Sequence, residues 1–321
     1  MKHRIMIAIG IVILFLITGM IITVFFIRSD STEGNSKSIS ILQEPADDIT
    51  VLTDIQYQIT EENNCYFDIA YKDNNTPKPL LVFVHGGTWM GGAKEEMNSY
   101  LYTFSALGYT VASLDYDLLD LVKALQGDCT SIKDEETCIA AAVTYLTQHA
   151  KEYQIDTSRV ILIGHSSGGQ LVGRLAEQIA SQPQNYIFQI AGVVLISAPS
   201  DLRYYLYNDI QMIEGENLSF VELSFIFDGV YGTDVIPEIN KVDVLYNITE
   251  KLPPVLIIHG SDDTLVPVSL SKNLYNTLTD EGVSAELTII PGGSHSILDN
   301  EMVFIEIERF MKQFIIKNEK E

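Results

Sequence analysis

Six short apolar runs pace the chain: LLVFV at 80–84, TVASL at 110–114, VILIG at 160–164, GVVLIS at 192–197, VLIIH at 255–259 and ELTII at 286–290. Each has the length of one strand, and several are apolar throughout, as strands buried on both faces are. Helical patterns fall between them. Ile139, Val143, Leu146 and Ala150 make one apolar stripe, Leu171, Leu175 and Ile179 a second, and Val303, Ile307, Phe310 and Phe314 a closing one. Strand–helix alternation of this kind implies an α/β fold, with a mostly parallel sheet carrying helices on both faces. Two earlier strand-like stretches, Leu52–Ile59 and Tyr66–Tyr71, predict an antiparallel start and bring the expected count to eight. Residues 201–247, rich in Tyr and Phe, exceed a plain connection. A crossover helix and a small cap over one end of the sheet are expected there. Those aromatics either suit an apolar acyl group or simply pack as core.

The N-terminus is of a different kind. Ile5–Ile27 carries no charge and is long enough to span a bilayer as one helix, with Lys2 and Arg4 ahead of it. A cleaved signal peptide would end in small residues, whereas Ile22–Arg28 offers bulky ones. The expectation is an uncleaved transmembrane anchor over 1–28, residues 1–4 in the cytoplasm and the large domain outside it; cleavage and secretion is the alternative. Residues 29–48 are polar and aperiodic and read as a tether, leaving 49–321 as the folded domain.

Charge narrows the partners. The chain holds 20 Lys and Arg against 43 Asp and Glu, a net −23. Phosphate backbones repel such a body, so nucleic acid is not an expected partner. Of three cysteines, Cys129 and Cys138 lie in one polar stretch and either close a small disulfide loop or remain free thiols. Cys65 is left to pack as a small hydrophobe. No cysteine–histidine spacing resembles a zinc site.

The chemistry concentrates at strand ends. VILIG runs into Gly164-His165-Ser166-Ser167-Gly168, and an amphipathic pattern begins at once. A nucleophilic serine needs such a sharp strand-to-helix turn, with small residues two positions either side where the arms pass close. Upstream, LLVFV runs into His85-Gly86-Gly87-Thr88-Trp89, where glycines let backbone N–H groups approach an oxyanion. The N–H of Ser167 is the second expected donor. His85 holds that loop, and Trp89 either lines the substrate pocket or packs beneath the loop. After VLIIH comes Gly260-Ser261-Asp262-Asp263, and after ELTII comes Pro291-Gly292-Gly293-Ser294-His295. A serine hydroxyl is a poor nucleophile until an imidazole takes its proton and a carboxylate fixes that imidazole's tautomer. His295 alone among six histidines falls on a loop after the last strand. Asp262 and Asp263 compete for the carboxylate role, with Asp201 a distant third that more often would cap a helix. His259, at a strand end, reads as structural.

The set HGGTWMGGAK, IDTSRVILIGHSSGG, HGSDDTLVP and PGGSH resembles the α/β-hydrolase superfamily. Within it, the set is similar to the carboxylesterase/lipase group that includes hormone-sensitive-lipase-like esterases, feruloyl-esterase-like hydrolases and kynurenine formamidase. The likeness spans residues 80–297. It implies an α/β-hydrolase fold, a triad of Ser166, Asp263 and His295, and oxyanion donors at Gly86, Gly87 and Ser167. It further implies a serine esterase acting on a small-molecule ester through an acyl-enzyme, with no metal and no cofactor. An amidase or peptidase of the same fold, or a catalytically silent binding protein, are the alternatives. Two departures bear on substrate: Thr88 stands where hormone-sensitive-type esterases tend to have a third glycine, and Asp117 follows Tyr116 where they have arginine.

Overall fold

The computed structural model describes residues 39–59, 64–119, 131–207, 210–212, 216–218 and 235–316. The chain divides into two units, Met1–Lys37 and Ser38–Glu321, and all described residues belong to the second. The expected anchor at Ile5–Ile27 lies outside the described residues. Among the described residues, no helix is long and apolar enough to cross a membrane.

Among the described residues ten strands form: β1 Ile49–Ile59, β2 Asn64–Lys72, β3 Lys78–Val84, β4 Thr110–Leu114, β5 Ile155–His165, β6 Ile190–Ile196, β7 Ile210–Met212, β8 Glu216–Leu218, β9 Val255–Gly260 and β10 Ala285–Ile290. The helices are α1 Asn98–Ala106, α2 Ile132–Gln148, α3 Ser167–Ser181, α4 Tyr204–Tyr207, α5 Val235–Val242, α6 Val268–Asp280 and α7 Glu301–Phe310. Eight strands make the main sheet, in the order β1-β2-β4-β3-β5-β6-β9-β10. β1 runs antiparallel to β2, and β2 antiparallel to β4; every later pairing is parallel. All eight expected strands are members.

The continuous apolar runs have a simple cause. On β3, Leu80, Val82 and Val84 face one buried layer, while Leu81 and Phe83 face the other. Side chains alternate faces along a strand, so a strand covered on both sides needs apolar residues at every position. The first layer is closed by α2, α3 and α6, with Ile139, Leu171 and Leu274 buried in it. The second is closed by α1 and α7, where the Tyr100 and Phe304 rings stack 4.2 Å apart. The α2 N-terminus is fixed by a reciprocal cap: Asp134 N–H donates to Ser131 Oγ, and Ser131 N–H donates to Asp134 Oδ2.

Part of the polar stretch expected as a tether already touches the domain. Ile39 N–H donates to Glu301 Oε1, Leu42 N–H donates to Thr103 Oγ1, and Ile39 and Ile41 pack on the second layer. In the segment expected to form a cap, α4, the β7–β8 hairpin and α5 are described; the rest of 208–234 lies outside the described residues.

Candidate active site

Parallel strands deliver their C-terminal loops to one edge of the sheet, and here that edge gathers the chemistry. β5 ends at His165 and α3 begins at Ser167, so Ser166 occupies the turn between them, with φ 52° and ψ −125°. A left-handed φ at a non-glycine residue costs about 1–3 kcal/mol and persists only when the surroundings over-determine it. The surroundings do so. A Cβ on Gly164 would lie 2.2 Å from the Gly168 carbonyl oxygen, and one on Gly168 would lie 2.2 Å from the His85 carbonyl oxygen. The two arms of the turn and the end of β3 are thus in backbone contact, and the Ser166 hydroxyl is lifted above them.

β9 and β10 are hydrogen-bonded neighbours, so the loops that follow them meet. Asp262 N–H donates to the Gly293 carbonyl, which locks the two loops together. Asp263 and His295 come together as a result: His295 Nδ1 lies 2.8 Å from Asp263 Oδ2, and His295 Nε2 lies 2.9 Å from Ser166 Oγ. The ionised carboxylate only accepts, so Nδ1 carries the imidazole proton, and Nε2 is left to accept from the serine hydroxyl. Asp262, the rival carboxylate, is exposed and accepts from Ser261 Oγ instead. Asp201 is bonded by the Arg203 N–H ahead of α4.

Electrostatics sharpen the arrangement. Burial alone would push the Asp263 carboxyl up. Hydrogen bonds from His259, from His295 and from the Val266 N–H prevail and hold it well below the usual carboxylate range. Its second oxygen accepts from the Leu265 and Val266 N–H groups at 2.9 and 2.8 Å. Asp263 is therefore a fixed anion. Burial, then the neighbouring His295, lowers His165 to about 4, so at neutral pH its uncharged ring hydrogen-bonds the His295 carbonyl at 3.2 Å.

The loop after β3 closes the other side. A Cβ on Gly86 would lie 2.8 Å from the Ser166 Cβ, which puts this backbone directly against the serine. Gly87 has φ 128°, and Thr88 and Trp89 also take positive φ, as the chain folds back so that Met90 N–H reaches the Gly87 carbonyl. The N–H of Ser167, the first residue of α3, has no acceptor inside the helix, and it sits at the positive end of the helix dipole. Trp89 is buried; its indole N–H donates to Gln170 Oε1, and Gln170 Nε2 donates to the Val242 carbonyl. Tyr116 stacks on His85 and donates to its carbonyl, fixing the loop from behind.

One contact is barely signalled in the sequence. His259, which reads as a structural strand end, places Nε2 3.0 Å from Asp263 Oδ2 and 2.8 Å from the Val266 carbonyl, while Nδ1 lies 2.7 Å from Ser271 Oγ. The spacing of four between His259 and Asp263 across a loop is the only hint the chain offers. A second contact is also unheralded: Cys65 pairs with Cys138, sulfur to sulfur at 2.7 Å, rather than packing alone. Cys129 lies outside the described residues.

The BD-FAE family model matches residues 67–278. The chain belongs to the BD-FAE family. This is a carboxylesterase-type family of α/β-hydrolases, and the relatives are in keeping with it. A probable isoprenylcysteine alpha-carbonyl methylesterase of Arabidopsis thaliana is 25% identical over 238 residues, covering 71% of this chain and 47% of that protein. Acylamino-acid-releasing enzyme 1 of Oryza sativa subsp. japonica is 25% identical over 236 residues, covering 71% of this chain and 28% of that protein. The chain spans about half the length of the methylesterases it matches. Among solved structures, esterase B of Lactobacillus rhamnosis superposes with a TM-score of 0.68 at 18% identity, over 86% of this chain and 91% of that one. A truncated carbohydrate esterase from gut microbiota gives 0.64 at 19%, over 84% and 98%. At such identities the superpositions speak for the fold, and the same eight-stranded α/β-hydrolase frame carries this BD-FAE member's site.

Proposed function

We propose that this protein is a serine carboxylic-ester hydrolase that works through an acyl-enzyme. The observation that carries the reading is the unbroken hydrogen-bond line from Asp263 through His295 to Ser166, at 2.8 and 2.9 Å. Ser166 Oγ attacks the ester carbonyl carbon as its proton passes to His295 Nε2. Asp263, already an anion, stabilises the imidazolium that forms. The carbonyl oxygen becomes an oxyanion and is held by N–H groups of the Gly86–Gly87 loop and of Ser167. The tetrahedral intermediate collapses, and His295 returns the proton to the departing alkoxide. Water, activated by the same histidine, then frees the acid and restores Ser166.

The matching methylesterases favour an ester over an amide. The acylamino-acid-releasing enzymes support a second reading in which the same serine opens an acylated peptide bond. A fluorophosphonate probe reports on the serine itself, and a nitrophenyl ester series run beside aryl amides and N-acyl peptides reports on the substrate. Esters are expected to turn over, and Ser166→Ala to lose both labelling and turnover while Ser167→Ala keeps most of each. Labelling that survives in Ser166→Ala would end the reading.

Residues 5–27 anchor the domain in a membrane in this proposal, with the tether after them and the catalytic unit on the outer face. The support is the uncharged run itself. Full-length protein should pellet with membranes and resist high salt and alkaline carbonate, and a chain beginning at Ser36 should be soluble and equally active. A native N-terminus found after residue 28 in the medium would replace the anchor with a signal peptide.

A further inference from the structure

We propose that Cys65 and Cys138 form a disulfide that ties β2 to α2. Both thiols are 2% exposed, and their sulfurs lie 2.7 Å apart although the residues are 73 positions apart in sequence. Asp117 Oδ1 stands 3.5 Å from Cys65 Sγ, and the Tyr57 hydroxyl stands 3.2 Å from Cys138 Sγ. Cys65, Asp117 and Cys138 together resemble a metal-ligand set. Two thiolates on one zinc, each at about 2.3 Å, would stand about 3.8 Å apart, so the sulfurs are too close for that geometry. The two are free thiols in the structure, and their contact is longer than the roughly 2.05 Å of a formed disulfide but nearer to it than to an ion-bridged pair.

The chemistry balances with an external disulfide as oxidant, either oxidised glutathione or the active disulfide of a thiol oxidoreductase. Either cysteine can open the exchange once ionised, here Cys138. Its thiolate displaces one sulfur of the oxidant, giving a mixed disulfide and one released thiolate. Cys65 then loses its proton and attacks the Cys138 sulfur, and the second thiol of the oxidant departs. Two electrons pass from the cysteine pair to the oxidant. The exchange belongs to folding, before β2 and α2 bury the pair.

The bond would brace the ground behind the oxyanion loop. Tyr57, beside the pair, donates to the Asp115 carbonyl at 2.6 Å, and the next residue, Tyr116, holds His85. Segment 115–119 ends on Leu119, whose N–H donates to the Trp89 carbonyl.

The test is a disulfide map of the full-length chain in detergent, equilibrated with a glutathione couple, alkylated and digested without reduction. A cross-linked pair joining the Cys65 and Cys138 peptides is expected, with Cys129 alkylated. Reduction should then lower Tm by roughly 10 °C, as the loss of a long-loop cross-link does in a domain of this size. Cys65→Ser should show the lower Tm with or without reductant. A bridge that includes Cys129, alkylation of all three cysteines, or one retained zinc ion shielding the pair would each overturn the proposal.

Discussion

His259 and His295 hydrogen-bond to the same carboxylate oxygen, Oδ2 of Asp263, at 3.0 and 2.8 Å. His259 is fully buried. Its Nε2 faces two acceptors and so carries a proton, with Ser271 on the far side of the ring. Asp263 is thus gripped by a histidine that never approaches Ser166, and it is presented to the one that does.

His259 is therefore expected to act as a positioning residue. His259→Leu removes one hydrogen bond to a buried charge, which is worth about 1.5–3 kcal/mol. Transferred to the barrier, that is a fall in kcat of about 10- to 100-fold. KM should move little, and the acid limb of the pH–rate profile should shift upward as Asp263 loses a donor. A variant with unchanged kcat and an unchanged profile would reduce His259 to packing.

The elbow sets its own tolerance for side chains. Gly168→Ala would drive a Cβ to 2.2 Å from the His85 carbonyl oxygen, backbone that the parallel sheet holds in place. Gly282→Ala instead meets a positive φ, 80°, but has nothing within 4 Å. Thermal unfolding should separate them. Gly168→Ala is expected to fail to fold or to lose more than 10 °C in Tm, and Gly282→Ala only the few degrees that left-handed strain costs. Equal losses would mean that the arms of the turn do not touch.

How much of this could be read from the chain depends on what buries each residue. β3, β4, β6 and β9 announce themselves because both faces are covered. β5 is legible only from Val160 onward; its first residues, Ile155–Arg159, are largely polar and join the sheet through Lys78 and Pro79 beyond a bulge. Hydropathy carries no trace of that pairing. The loops bearing Ser166, Asp263 and His295 are legible as loops because each follows an apolar run. The distances between their atoms are not, since they depend on β5, β6, β9 and β10 standing side by side. Beyond a spacing of four residues the His259–Asp263 bond leaves no pattern, and the Cys65–Cys138 contact leaves none. His259 and Cys65 look, in sequence, like ordinary strand residues, and their partners, Asp263 on a loop and Cys138 on α2, belong to other elements.

A buried acidic cluster beside α3 predicts how stability follows pH. Burial raises Glu136 to about 7, Glu177 to about 8 and Asp243 to about 7. Arg174, paired with Glu177 and near Glu136, only partly offsets it. Folded carboxyls with raised pKa values bind protons more tightly than the unfolded chain does. Stability therefore falls as pH rises from the ordinary carboxylate range towards about 8. The depressed Asp263 works the opposite way, but only in acid. Tm should be higher at pH 6 than at pH 8.5, and Glu177→Gln should flatten the slope and raise Tm at pH 8.5. A Tm that climbs between pH 6 and pH 8.5 would contradict this.

The two adjacent carboxylates give the sharpest test of the site. Asp263 is buried with both oxygens engaged, whereas Asp262 is exposed and bonded to Ser261. An amide at 263 can present an N–H to His295 Nδ1. The imidazole then turns to the other tautomer, with its proton on Nε2 facing Ser166, and cannot take the hydroxyl proton. Asp263→Asn should lose about three to four orders of magnitude in kcat at saturating ester, with a far-UV spectrum matching the parent. Asp262→Asn keeps the tautomer and should hold most of its rate, because its N–H bond to Gly293 is backbone and survives the change. A severe loss in Asp262→Asn beside a mild one in Asp263→Asn would move the role to Asp262. Mild losses in both would remove the carboxylate from the mechanism and leave Ser166 and His295 to act as a pair.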